Sequence, residues 1–402
     1  MKLLDKLGLT ESQQKIIVKV TALSTLGCFL FVGGMWAGRS LAIFQHSIKS
    51  KPAVLQAPAL EGIYREKSEC LLPVDIEAHK FCAEYFLKNE RPEAAIPHLI
   101  RVQMLDKNNR RLRLDLANAY LRSGQYPYAL REYINLTEEE IEDSLSPSIA
   151  AQHGLALFYM RRIDESIARL NGCLAQDKHN AEAACYLGQV KASLTIPSPE
   201  AEEYFQKAID WKPDFIEAWY QFGKYYMDTR QYEKSRAYYR HIIETEPINA
   251  KAHARLGMAY YYLDKKELAR KSYETALAIN PQDYNTHYNL GELLFSEFED
   301  HKGALEEFTK TLAIIPDHSQ ANFKTGLICL ENNMAKEAAR YLEKARTGEP
   351  DNIRILLQLG VAYEKLAMRA EALQTYQAIL AIDELNHVAL QKVQGLSQNA
   401  AE

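Results

Sequence analysis

AKAHARLGMAYYYLDKKELARKSYETALAINPQD, running from Ala250 to Asp283, carries two amphipathic patterns separated by a short polar break. Leu256 to Tyr260 and Ala269 to Tyr273 are i, i+4 steps, and Ala269 to Ala276 is an i, i+7 step. Two helices with one apolar face each are therefore expected on either side of Asp264 to Lys266. Gly257 and Ala269 are small, so the two axes can approach closely, while Leu256, Tyr260 and Tyr273 fill the space around that contact. Pro281 lacks a backbone donor and disfavours helix in the residue before it, so it closes the second helix.

One such hairpin cannot bury its own apolar face, so the number of copies matters. The small residue of the first helix recurs at Ala83, Ala117, Gly154, Gly188, Gly223, Gly257, Gly291, Gly326 and Gly360. The second small position recurs at Ala95, Ala129, Ser166, Ala201, Ser235, Ala269, Ala304, Ala338 and Ala372. Pro213, Pro247, Pro281, Pro316 and Pro350 follow at steps of 34, 34, 35 and 34 residues. An amphipathic helical protein without repeats would not keep small residues and prolines in phase in this way.

Leu256, Gly257, Tyr260, Ala269, Tyr273, Ala276 and Pro281 stand where the tetratricopeptide repeat family has its large, small and helix-stopping residues, and the chain resembles that family. The resemblance implies an all-α, right-handed superhelical solenoid of nine helix-turn-helix repeats. They are expected at 76–109, 110–146, 147–180, 181–215, 216–249, 250–283, 284–318, 319–352 and 353–386, with a C-terminal cap helix and tail over 387–402. One extra residue falls between Gly188 and Ala201, where Pro197 and Pro199 sit in the turn, and another between Gly291 and Ala304.

The chain has 402 residues, 47% of them apolar and 25% charged, with a net charge of -5, which gives no basic footprint for nucleic acid. Cys28, Cys70, Cys82, Cys173, Cys185 and Cys329 form no CxxC pair, so metal knuckles and thioredoxin-like chemistry are unsupported. Most sit at helix positions that read as core, although Cys70 and Cys82 are a conceivable bridge in an oxidising compartment. There is no HExxH, GxxxxGK[ST] or GxSxG motif. His153, His253 and His287 fall on first helices and read as packing residues rather than ligands. The Asn135-Leu136-Thr137 sequon is discounted because Leu136 occupies a core position. No enzyme activity, cofactor or metal is expected.

Residues 1–19 are polar and amphipathic, with Lys2, Lys6, Lys15 and Lys19. Val20 to Gly38, VTALSTLGCFLFVGGMWAG, is free of charge and closed by Arg39. Three readings compete for it. A cleavable signal peptide usually has a shorter apolar run and a small-x-small site. A lipoprotein signal would use Thr25-Leu26-Gly27-Cys28, but Phe29 to Val32 continue the apolar run past it. The uncleaved single-pass anchor over 20–38 accounts for the length best. The lysine and arginine bias places the N-terminus in the cytoplasm and the repeats in the periplasm of a bacterial inner membrane. Residues 39–75, with Lys51-Pro52 to Leu60 rich in proline and alanine, read as stalk and linker.

What such an array does is bind. The resemblance implies that the first helices line a concave groove, to which this chain contributes Phe158, Tyr159, Tyr220, Lys224, Met227, Tyr261, Tyr262, Tyr288, Glu292, Phe295 and Phe323. Aromatic side chains give large contact area with a polar tip and little rotamer entropy to lose. The carboxylate clamp of the chaperone-binding members is absent from the first repeats, where Lys80 is followed by Glu84, Asp115, Ser148 and Gln152. The expected function is a membrane-anchored adaptor or scaffold that holds a peptide or helix of a partner protein in an envelope assembly or secretion system. The alternative is an accessory, chaperone-like subunit of an envelope enzyme or cytochrome-maturation machinery.

Overall fold

The computed structural model describes residues 76–88, 91–107, 109–138 and 146–398. Among the described residues there are nineteen helices and no strand. The expected all-α architecture is thus observed.

The helices fall into two compact units that divide between Leu194 and Thr195. The first contains α1 (Ile76–Lys88), α2 (Pro92–Leu105), α3 (Arg110–Arg122), α4 (Tyr126–Glu138), α5 (Ser146–Tyr159), α6 (Ile163–Gln176) and α7 (Ala181–Leu194). The second contains α8 (Pro199–Trp211), α9 (Ile216–Asp228), α10 (Tyr232–Thr245), α11 (Ala250–Tyr262), α12 (Lys266–Ile279), α13 (Tyr284–Glu297), α14 (His301–Ile314), α15 (Ser319–Glu331), α16 (Ala335–Gly348), α17 (Ile353–Lys365), α18 (Arg369–Ile382) and α19 (His387–Gln398). Within each unit every helix packs on the next in the chain, and neighbouring first helices such as α11 with α13 and α15 with α17 also touch.

The spacing of small residues explains the packing. Ala95, Ala129, Ser166, Ala201, Ser235, Ala269, Ala304, Ala338 and Ala372 are all completely buried. Opposite them, a Cβ on Gly257 would stand 2.7 Å from the Tyr273 ring, one on Gly291 2.7 Å from Phe308, and one on Gly360 2.5 Å from Tyr376. The ring of the second helix therefore lies directly on the backbone of the first, which only glycine permits. Where serine replaces alanine it bonds across the same contact: Ser166 Oγ donates to the Gly154 carbonyl at 2.6 Å and Ser235 Oγ to that of Gly223 at 2.8 Å. That bond satisfies a hydroxyl that burial would otherwise penalise.

The turns are equally regular. Arg161, Arg230, Asp264, Asn333 and Ala367 adopt φ of 55–62°, the left-handed conformation that Gly124 takes at 73°. In the hairpin α11/α12, Asp264 N–H donates to Tyr261 O and Lys265 N–H to Tyr260 O, which satisfies the last carbonyls of the first helix. Seven helices start on a side-chain cap: Asn109, Asn180, Asn249, Asp283, His318, Asn352 and Asn386 each accept from a backbone N–H two or three residues on. The extra residue between Gly291 and Ala304 is absorbed at the α13/α14 turn. There Glu299 is left-handed and Asp300 N–H reaches back to Leu294 O.

The prolines do more than stop helices. At four of the five the fourth residue of the following helix bonds the proline carbonyl: Trp219 Nε1 to Pro213 at 2.9 Å, His253 Nε2 to Pro247 at 3.0 Å, His287 Nε2 to Pro281 at 3.1 Å and Asn322 Nδ2 to Pro316 at 3.0 Å. His253 and His287 are thus turn anchors. His287 is also held by Glu307 at 2.6 Å. Cys82, Cys173, Cys185 and Cys329 are buried, and Leu136 is 1% exposed, both as their helix positions required. Cys70 lies outside the described residues.

The expected single-pass membrane location is corrected. Among the described residues no helix is long and apolar enough to cross a membrane. Helices of 12 to 14 residues reach about 18–21 Å at their usual rise, short of the ~30 Å hydrocarbon layer. The span expected over 20–38, with its flanks at 1–19 and 39–75, lies outside the described residues. No described helix supports the anchor, the inner-membrane location or the bilayer as a partner.

Candidate functional site

The expected groove residues divide between the two units, and each unit has its own geometry. In the first, Phe158 and Tyr159 end α5. The Tyr159 ring stacks on Tyr126, the first residue of α4, with centroids 4.6 Å apart and planes 12° from parallel. Phe158 packs beside it at 5.3 Å.

In the second unit, Tyr262 ends α11 and repeats this arrangement on Tyr232, the first residue of α10, at 4.7 Å and 9°. Tyr261 meets Tyr262 edge-on at 5.4 Å. The same place is filled by charge further along, with Glu297 on Lys266 at 2.5 Å and Glu331 on His301 at 2.8 Å. Tyr159 and Tyr262 therefore join successive hairpins along the turn edge, and offer only part of each ring to solvent.

Tyr220, Lys224 and Met227 lie on α9. Tyr220 is buried: its Oη accepts from Arg255 Nε at 2.9 Å, and Lys251 Nζ stands 4.3 Å above its ring. Lys224 is tied to Asp228 at 2.7 Å, and Met227 is half-buried against the same core.

Three of the remaining four residues share one place. Tyr288, Glu292 and Phe295 follow one face of α13, and Lys324 of α15 joins them, 3.0 Å from Glu292 Oε1 and 4.9 Å above the Phe295 ring. Burial, and next the neighbouring Glu292 carboxylate, push the Tyr288 hydroxyl well above its ordinary pKa, so it is a hydrogen-bonding phenol and not a charge. Phe323 is buried beneath Arg354, whose Cζ lies 5.7 Å from the ring centroid.

Sequence reasoning missed four cations of this wall, Lys251, Arg255, Lys324 and Arg354. One signal was available. Lys251 and Arg255 are like charges four residues apart on one helix face, which costs an isolated helix a few tenths of a kcal/mol. No group of three or more His, Cys, Asp or Glu among the described residues is placed to hold a metal ion. What the wall presents is half-buried aromatic surface with fixed charges, which suits recognition of a chain segment.

Comparison with known proteins agrees with this architecture. Models described as tetratricopeptide repeat match residues 86–144, 216–249, 250–283 and 329–395. The chain is 22% identical over 224 residues to anaphase-promoting complex subunit 3 of Schizosaccharomyces pombe, a match that takes in 56% of this chain and 33% of that protein. It is 27% identical over 132 residues to the type IV pilus assembly protein PilF of Pseudomonas aeruginosa, covering 32% of this chain and 52% of the relative. Among solved structures it is similar to the APC/C hetero-tetramer Cut9-Hcn1, with a TM-score of 0.52 and 16% identity over 81% of this chain and 65% of that one. The chain thus spans a third to a half of these two curated relatives, and the structural likeness is one of fold.

Proposed function

The chain belongs to the tetratricopeptide repeat family, and on that premise we propose that it is a scaffold whose first helices grip a segment of a partner protein, as a peptide or a helix. The observation that carries this reading is the convergence of Tyr288, Glu292, Phe295 and Lys324 from two neighbouring helices. Aromatic side chains held by neighbours lose little rotamer freedom when a partner covers them. Tyr261, Tyr262, Phe158 and Tyr159 supply further aromatic surface along the turn edge of their own units.

The proposed role is non-enzymatic, since the wall offers contact surface and no nucleophile with a neighbouring base. As a setting we propose a multi-protein assembly. The names of the two curated relatives, a subunit of one complex and an assembly protein for another, support it, and the pilus relative favours envelope assembly.

The test is a photo-crosslinking residue placed at Tyr288 or Phe295, with Leu268 on the outer helix α12 as control. Polypeptide adducts at the two wall sites and none at Leu268 are expected. Adducts of equal yield at all three positions would remove the assignment.

A further inference from the structure

The first helices of the second unit carry six cations, and their partners differ. Lys224 is paired with Asp228 at 2.7 Å and Lys324 with Glu292 at 3.0 Å. Lys365 donates to Leu330 O and Asn333 Oδ1. Among the described residues, Lys251, Arg255 and Arg354 form no ion pair, although carboxylates outnumber basic side chains 53 to 48 in the whole chain.

These three cations are nonetheless held. Lys251 and Arg354 are each the second residue of their helix, and each lies over the ring at the fifth position of the preceding first helix, Tyr220 at 4.3 Å and Phe323 at 5.7 Å. Arg255 is fixed by its Nε bond to Tyr220 Oη at 2.9 Å. Both rings are buried, 7% and 5% exposed, so they act as seats for the cations and leave no face for a ligand to stack on. A cation seated in this way has given up rotamer freedom before any partner arrives, which lowers the cost of meeting an anion. An anion between Lys251 and Arg255 would also relieve their mutual repulsion.

Resting on the reading of this wall as a partner-binding surface, we propose that its occupant is an acidic polypeptide segment, with side-chain carboxylates received by Lys251 and Arg255 at one place and by Arg354 at another. At these two places a nucleic acid is disfavoured because single strands need exposed rings as stacking platforms, and Tyr220 and Phe323 lie beneath their cations.

The test is fluorescence anisotropy on the full chain. The probes are peptides blocked at both ends, in which aromatic residues alternate with Glu, Gln or Lys. The Glu peptide is expected to bind tightest, to weaken with salt, and to lose about fivefold in affinity for each of Lys251→Gln and Arg354→Gln. The Lys251→Glu, Arg354→Glu double variant is expected to prefer the Lys peptide; should it fail to fold, the two glutamine variants carry the test. Equal binding of the Gln and Glu peptides overturns the acidic assignment while leaving the peptide-binding wall standing. Binding of none of the three overturns both. Tighter binding of an oligothymidylate than of the Glu peptide overturns the proposal in favour of nucleic acid.

Discussion

The ring of Tyr262 lies flat on that of Tyr232, their centroids 4.7 Å apart, although the two residues belong to different hairpins. This contact fixes one hairpin against the next at the turn edge. A double-mutant cycle with Tyr262→Ala and Tyr232→Ala should give a coupling of about 0.5–1.5 kcal/mol in urea unfolding. A coupling of zero would mean that the stack contributes nothing.

The glycine contacts predict a contrast between two like substitutions. Gly360→Ala puts a methyl 2.5 Å from the Tyr376 ring and should lower stability by about 1–3 kcal/mol. Gly172, inside α6, has no atom within 4 Å of the added carbon, so Gly172→Ala should raise stability by about 0.5–1 kcal/mol. Thermal unfolding followed by circular dichroism reads both.

Ala367 closes the α17/α18 turn at φ 55°, where a Cβ is strained. Ala367→Gly should therefore stabilise the protein by roughly 0.5–1 kcal/mol, since relief of strain exceeds the added flexibility of the unfolded chain. A fall in melting temperature would contradict this account of the turn.

His153 predicts a pH dependence. It is buried in the first unit, its Nδ1 has no hydrogen-bond partner, and burial followed by the nearby Arg169 and Arg162 pushes its pKa down to about 4 from 6.5. The unfolded chain takes up a proton below about 6.5 and the folded one only below about 4, so stability is full above this window and falls as pH drops through it. The loss should be about 3 kcal/mol. His153→Leu should flatten the stability profile between those values, and an unchanged slope would exclude His153 as its source. His98, pushed to about 4 by burial and by His79, acts in the same sense.

Much of the fold was legible because its determinants are local. Gly257, Ala269 and Tyr273 lie within one hairpin, so their spacing in the chain already encodes the contact. Two asparagine caps are equally local, each two residues after a helix-stopping proline: Asn249 follows Pro247, and Asn352 follows Pro350. His253 and His287 could not be told from packing residues, since the proline carbonyl that each bonds is six residues back across a turn whose path the sequence does not specify.

The candidate site was less legible. Tyr220 and Phe323 were expected to face a ligand, yet they are buried under cations contributed from a different hairpin, Lys251 and Arg354. Tyr262 was expected in the groove, and the position of Tyr232 sends it to the turn edge. Each outcome depends on a residue about thirty positions away, beyond the reach of any helical period.

By itself, then, the order of residues determined helical hairpins of fixed length, because period, small residues and helix stops act over distances shorter than one hairpin. Only tertiary structure decided which aromatic rings lie beneath cations and which are surface, and which cations form ion pairs and which do not. Charge pairing and ring burial are settled between neighbouring hairpins, and the sequence does not state how far one is turned against the next.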